Sequence, residues 1–428
     1  MRRYPVSDGR LRRMWRTLQR MLKSGTDHSV HGEYLTRREC STGGDRAVCP
    51  PFHNRRATKQ RGAAILGGKP AFEPASTEWK TSRSGDRLAG RIAGPTFVVI
   101  VACAIALLYG CARHESARGI PVRIAIGGQA QLIYLAATLA QELGFYGDEG
   151  LAVTLQDFPG GQKSLEALLG GSTDVVCGFY DHTIVMAALD PGKARNLQAF
   201  VAMLRYPGLA AVASKPGITR VEDLKGKIVG VSAAGSSTQF FLNYLLGAHG
   251  MKPEDVSTAS IGMSATAVGA MTHGKVDAAI MTDPALEIVR KQLPGAKILA
   301  DTRTAEGTHA VFGVDVYPSV VLYSTAQWIG GHRDEAGKLA RAMTRTLSWM
   351  RANSPEDIRE RTPAAFRTED ASTDLEGLRS LKAMLSEDGR MTAESAEAVR
   401  KVLAVSLESV RSAKVDLANT YTNDFVNR

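Results

Sequence analysis

Three side chains able to contact a small molecule, Tyr180, Asp181 and His182, stand in a row after the apolar run Asp174-Val-Val-Cys177. A carboxylate beside an imidazole suggests acid–base work. Neighbouring residues on one loop diverge, however, and the sequence holds no G-x-S-x-G elbow, HExxH, P-loop or Cys/His metal spacing to complete such a site. No catalytic residue, metal or cofactor is therefore expected. The stretch reads instead as a binding loop: Asp181 accepts from a cation or N–H, Tyr180 lines a pocket, and His182 titrates near neutrality. A bare helix cap remains the alternative for Asp181.

The device occurs twice. Gly171, Asp174 and Asp181 in "LLGGSTDVVCGFYDHT" are echoed by Gly274, Asp277 and Asp283 in "MTHGKVDAAIMTDPAL". Each unit is a helix end, a glycine, a short apolar strand and a polar loop. In α/β sheets, ligands bind outside the carboxyl ends of strands, so two such loops, one in each half, would enclose a ligand between them. Asp283 is the second candidate. Ser236-Ser237-Thr238 after Gly235 opens a helix whose free N–H groups favour anions, or simply caps it. Arg205 in "MLRYPG" could clamp a carboxylate or sulfonate, or form an ordinary ion pair.

The elements that must position these residues alternate. Strands at 121–126, 152–156 and 174–177 are separated by helical spacing at 132–143 and before Gly170-Gly171. Lys227–Ser232 and the strands "VSTASI", "VDAAIMTD" and "AKILAD" make a second such unit. This order predicts an α/β fold with mainly parallel sheets. Helices follow at 334–352, 355–361, 373–386 and 392–411. Cys177, inside an apolar run, reads as core.

The chain has 428 residues and a formal charge of +10. Residues 1–91 carry 20 Lys/Arg against 8 Asp/Glu, and the remainder 33 against 35. The basic excess is thus confined to the first segment, which has no helix-turn-helix or zinc pattern, and nucleic acid is not an expected partner. Residues 1–86 read as a leader or as an over-early start. Residues 87–111, "RLAGRIAGPTFVVIVACAIALLYGC", place two arginines before an apolar run from Phe97 to Tyr109. That run suits a signal peptide better than a membrane span. Leu108-Tyr109-Gly110-Cys111 resembles a bacterial lipoprotein box, which implies a lipidated Cys111 and a membrane-anchored, exported protein in the periplasm or cell envelope.

"VEDLKGKIVGVSAAGSSTQFFLNYLLGAHGMKPEDV", with "GFYGDEGLAVTL", "ALLGGSTDVV" and "KVDLANTYTNDFV", resembles the solute-binding proteins of ABC transporters in the nitrate/sulfonate/taurine and thiamine-pyrimidine-precursor superfamily. The resemblance runs from about 121 to 428. It implies the type II periplasmic-binding-protein fold, with lobe 1 at 121–211 plus 318–428 and lobe 2 at 213–313. Crossover strands near Ala211-Val212 and Val316–Val321 would form the hinge, and the C-terminal helices would pack on lobe 1. It also implies ligand contacts at Gln129 and the Ser236-Ser237-Thr238 turn, and makes Tyr317 hinge or pocket wall. The function implied is that of a monomeric binding protein, not an enzyme, delivering a small organic solute, a taurine-like zwitterion or nitrogen heterocycle, to an ABC permease. A pyrimidine synthase of thiamin biosynthesis and the effector domain of a LysR-like regulator are the alternatives.

Overall fold

Runs of β-branched and small apolar residues bounded by glycine or proline become strands, and the amphipathic stretches between them become covering helices. The structure, a computed structural model, describes residues 119–189 and 196–426. The basic leader, the signal-like segment and Cys111 lie outside the described residues. Among the described residues no helix is long and apolar enough to cross a membrane.

In chain order, β1 (Ile120–Ile126) leads through a 3-10 turn (Leu132–Tyr134) to α1 (Leu135–Glu142), α2 (Phe145–Asp148), β2 (Leu151–Asp157), α3 (Gly161–Leu169), β3 (Val175–Phe179), α4 (Asp181–Leu189) and β4 (Leu197–Ala202). Then come β5 (Ala210–Ala213), β6 (Ile228–Val231), α5 (Ser237–Ala248), β7 (Ser257–Ser260), α6 (Ala265–Thr272), β8 (Ala278–Met281), α7 (Ala285–Gln292), β9 (Lys297–Asp301) and α8 (Ala305–Phe312). The chain returns in β10 (Val320–Thr325) and continues with α9 (Ala326–Gly331), α10 (Arg333–Ala352), α11 (Pro355–Arg361), α12 (Ala371–Met384), α13 (Ala393–Ser406) and α14 (Glu408–Ser412).

The strands form two sheets with orders β2-β1-β3-β10-β4 and β7-β6-β8-β5-β9. In each, the strand laid down immediately after the chain changes lobe runs against its neighbours: β10 is antiparallel to β3 and β4, and β5 to β8 and β9. This corrects the expected boundary at Ala211. Since Ala210–Ala213 pairs within the second sheet, the chain crosses earlier, over 203–209, and returns over 313–319. The two crossovers bond to one another, Tyr317 N–H to the Arg205 carbonyl at 2.9 Å and Ser319 N–H to that of Leu204 at 3.1 Å. The hinge is therefore a two-stranded ribbon.

The repeated aspartates before β3 and β8 have a structural task. Asp174 accepts the Arg123 backbone N–H at 2.8 Å, and Asp277 accepts that of Ile228 at 2.8 Å. Each carboxylate ties the start of its strand to the neighbouring parallel strand, so both copies set register. Cys177 is fully buried, its Sγ 3.7 Å from the Met203 sulfur. Helix α10 buries Leu339, Met343, Leu347 and Met350, three or four residues apart, and packs on α1 and α2. Helices α12 and α13 depart from the expectation that they pack on lobe 1 alone: they also touch α7 and α5 of the second lobe.

Replacing Asp277 by alanine should lower the unfolding free energy by about 1.5–3 kcal/mol, the value of a hydrogen bond to a charged acceptor. Urea denaturation measures this, and an unchanged midpoint would remove the register role.

Candidate functional site

Strands β3 and β8 hold the same third position in their sheets, and the residues just past each are bonded to the opposite lobe, Asp181 to Ser237 and Thr282 to Gln131. Asp181 is the first residue of α4, directly beyond β3, and Ser237 the first residue of α5, after a turn in which Gly235 takes φ 78°. Ser237 Oγ donates to Asp181 Oδ1 at 2.9 Å. A second bridge joins the lobes where Thr282 Oγ1, just past β8, donates to Gln131 Oε1 at 2.9 Å, while Gln131 Nε2 donates to the Gly127 carbonyl at 2.7 Å. The Leu132 N–H reaches the Asp283 carbonyl at 3.0 Å. At the outer edge Lys291 of α7 pairs with Asp370 at 2.8 Å.

Between the lobes lie two small cavities, about 20 Å³ and 10 Å³, both lined by Phe179, Leu209 and Ser237. Each has room for roughly one water molecule. Neither has room for a larger molecule with the lobes in this arrangement. One end of the seam is aromatic: Phe312 stacks on Tyr317 with centroids 5.0 Å apart and planes at 19°, and Phe240 and Phe241 line the same cavity. The other end is polar. Ser232 Oγ and Ser236 Oγ are 2.8 Å apart, Thr238 Oγ1 lies 2.7 Å from Ser236, and Gln131 and Tyr134 face them. No lysine or arginine lines either cavity.

Burial dominates the electrostatics. Asp181, 2% exposed, is pushed up to about 7 by desolvation, opposed by the Ser237 hydroxyl and the His182 N–H. His182, 1% exposed, is pushed down to about 4, also by desolvation, with the Gly235 carbonyl acting the other way. Its Nε2 has no hydrogen-bond partner, Nδ1 is 3.4 Å from the Tyr323 hydroxyl, and the ring meets Phe240 edge-on at 6.2 Å. A neutral imidazole thus stands between the lobes beside a carboxyl group that ionises near neutrality.

Of the residues singled out from the sequence, Asp181, Ser236, Ser237, Thr238 and Tyr317 come together at the seam, with His182 beside them. Ser236 does not cap α5; its hydroxyl donates to the Ala233 carbonyl and belongs to the hydroxyl cluster. Four others lie elsewhere. Tyr180 turns into the core, where its hydroxyl meets Thr420, because side chains alternate along the strand it continues. The Gln129 amide folds back onto Thr138, and its N–H bonds Asp157. Arg205 pairs with Glu387 at 3.0 Å beside the hinge, outside the cleft. Asp283 is engaged by Arg303 at 3.3 Å, a guanidinium that also holds Glu287 at 2.7 Å and Asp301 at 2.8 Å. Even so, burial pushes Asp283 up to about 6. It is spent on an ion-pair network rather than presented to a ligand.

Gln131, Thr282, Ser232 and the phenylalanines were missed. The repeat locates the loop of Thr282 but points to its neighbour, Asp283, and Gln131 stands two residues from Gln129. Among the described residues no cluster of three His, Cys, Asp or Glu side chains fits a metal ion.

A family model described as NMT1/THI5 like matches residues 134–358. Among solved structures, a protein from Bordetella bronchiseptica RB50 is 34% identical, covers 72% of this chain and 96% of its own, and superposes with a TM-score of 0.68. The alkanesulfonate-binding protein SsuA from Xanthomonas axonopodis pv. citri is 19% identical over 72% of this chain and 99% of its own, TM-score 0.55. The periplasmic nitrate-binding protein NrtA from Synechocystis PCC 6803 is 15% identical over 72% and 87%, TM-score 0.56. The last two share the two-lobed periplasmic-binding-protein fold. No curated protein matches the sequence.

Two predictions follow from the seam. A carboxyl group raised to about 7 in the fold stabilises it below the ordinary carboxylate value, and that contribution is lost as pH rises through 7. Asp181→Asn, which keeps its shape without the proton, should therefore gain on the wild type between pH 5 and 8 by on the order of 2 kcal/mol. Denaturation at both pH values tests this; a constant difference would mean that Asp181 is ionised in the fold throughout. Separately, a Cβ at Gly377 of α12 would stand 2.5 Å from Leu132 Cδ1 and 3.2 Å from Asp283 Cβ across the lobes. Gly377→Leu should wedge the lobes apart and raise the radius of gyration in small-angle scattering, and an unchanged radius would show that Leu132 simply repacks.

Proposed function

Because the chain belongs to the NMT1/THI5-like family, we propose that it is a solute-binding protein that captures a small nitrogen-bearing organic molecule between its lobes for an ABC importer. The observation that carries this reading is Asp181: a buried acceptor bonded across the seam to Ser237, among aromatic rings, with no lysine or arginine lining either cavity.

A carboxyl group in such surroundings favours partners that bring their own N–H or positive charge. A nitrogen heteroaromatic offers a flat face to Phe240, Phe312 and Tyr317 and an N–H edge to Asp181. A taurine-like zwitterion would set its amine on Asp181 and its sulfonate at the start of α5, where free backbone N–H groups and the positive dipole end favour an anion. Nitrate or sulfate alone fits less well, since Asp181 repels it and no guanidinium compensates. The solute replaces the Asp181–Ser237 and Gln131–Thr282 bonds as the lobes open and close again around it, so closure itself reports binding. The signal-like segment ending at Cys111 supports a periplasmic, lipid-anchored location, and the cleft needs no second copy of the chain to be complete.

Calorimetry against amines, taurine, pyrimidines and nitrate, on the wild type and Asp181→Ala, tests the proposal. An amine or heterocycle should bind the wild type and lose at least about a hundredfold in affinity in the variant, as removal of a buried charged acceptor implies. Tight nitrate binding with no response to the nitrogen compounds would sink it.

A further inference from the structure

A groove of about 490 Å³, far larger than either cavity in the seam, lies beside the hinge and outside the cleft. Its floor is small and buried: Ala202, Leu204, Pro318 and Ala398, with Ser386 and Ser395 supplying hydroxyls. The walls are fixed by backbone bonds. The loop before α13 pairs along the first crossover, with Arg205 N–H to the Met384 carbonyl, Ser386 N–H to that of Met203, and Ala202 N–H to that of Gly389, each at 2.8 Å. The returning crossover closes the other flank through the Tyr317–Arg205 bond. The hollow is therefore preformed, and its volume falls in the range of small-molecule sites.

Both signs of charge surround it. Arg205, Arg390 and Lys401 contribute three positive side chains, and Asp315, Glu387, Asp388 and Glu394 four negative ones. A ligand of one sign would meet at least three like charges, whereas one carrying both finds a counter-charge for each end. Arg205 is under-satisfied: it bonds Glu387 at 3.0 Å and the Ala383 carbonyl at 3.4 Å, and its buried Nε has no partner. An entering acceptor that turned the guanidinium would recover that donor.

We propose that this groove is a second ligand site, separate from the interlobe cleft, for a small zwitterion of the free amino acid or dipeptide class. The carboxylate lies toward Arg205 and Lys401, and the ammonium toward Asp315 and Asp388.

The test is a thermal-shift and calorimetric screen of the full chain with free amino acids and glycylglycine at millimolar concentration. At least one should stabilise the wild type and, equally, Asp181→Ala, which disables the cleft. Lys401→Glu should weaken that binding at least about tenfold, and Ala398→Phe, which fills the floor, should abolish it. Should Ala398→Phe fail to fold, Lys401→Glu, at an exposed residue, decides alone. The proposal is overturned if no compound in the panel binds, if binding disappears in Asp181→Ala and so belongs to the cleft, or if it survives Lys401→Glu unchanged.

Discussion

A polar group buried in a protein must be hydrogen-bonded, and one buried in a cleft that opens must be bonded in both states. The seam between the lobes meets this requirement with pairs drawn from opposite sides, Asp181 with Ser237 and Gln131 with Thr282. Each pair is satisfied when the lobes meet, and each exposes a donor and an acceptor when they part. In the proposed function the same atoms that hold the closed form are the ones offered to a solute. His182 is the exception, since its Nε2 is buried with no partner in the closed form. Burial accounts for the opposite displacements of Asp181 and His182, because it disfavours whichever form carries charge.

The hinge makes this double requirement achievable. Two short crossovers bonded to each other can bend together without disturbing the sheets, whose internal pairing stays within each lobe. Contacts at the outer edge, Lys291 with Asp370 and α13 against α5, add to the closed form without entering the cleft. The C-terminal helices therefore touch both lobes as well as covering the first sheet. Gly377 is where one of them comes close enough to Asp283 that a side chain would not fit without displacement.

How much of this was legible in the sequence depends on how local its cause is. The alternation of strands and helices is a local pattern, and it led to the right fold class. The repeated Gly…Asp…strand unit was readable because both copies solve one problem, tying a strand start to its parallel neighbour. That Asp181 and Ser237 lie near strand ends was readable, since each is the first residue of a helix that follows a strand. What failed was the direction of individual side chains. Tyr180 and Asp181 are adjacent, yet one faces the core and the other the cleft. The ion pair of Asp283 was not readable, because its partner, Arg303, lies twenty residues further on at the end of another strand, and nothing near Asp283 announces a guanidinium. The reversed strands β5 and β10 were also invisible, since direction within a sheet is set by where the chain comes from and not by the residues of the strand.

That reversal bears on how the chain can fold as it emerges. Strand β10 sits between β3 and β4, so the first sheet lacks an inner strand until residue 325 is available. The second sheet is built from one continuous stretch, 210–301, nested inside the first. In a chain delivered from its N-terminus, β1, β2 and β3 can already pair with one another, but β4 joins their sheet only once β10 has arrived, after every strand of the later lobe. The first sheet is thus closed by the last strand to appear, and the lobe that begins the chain is the second to be completed.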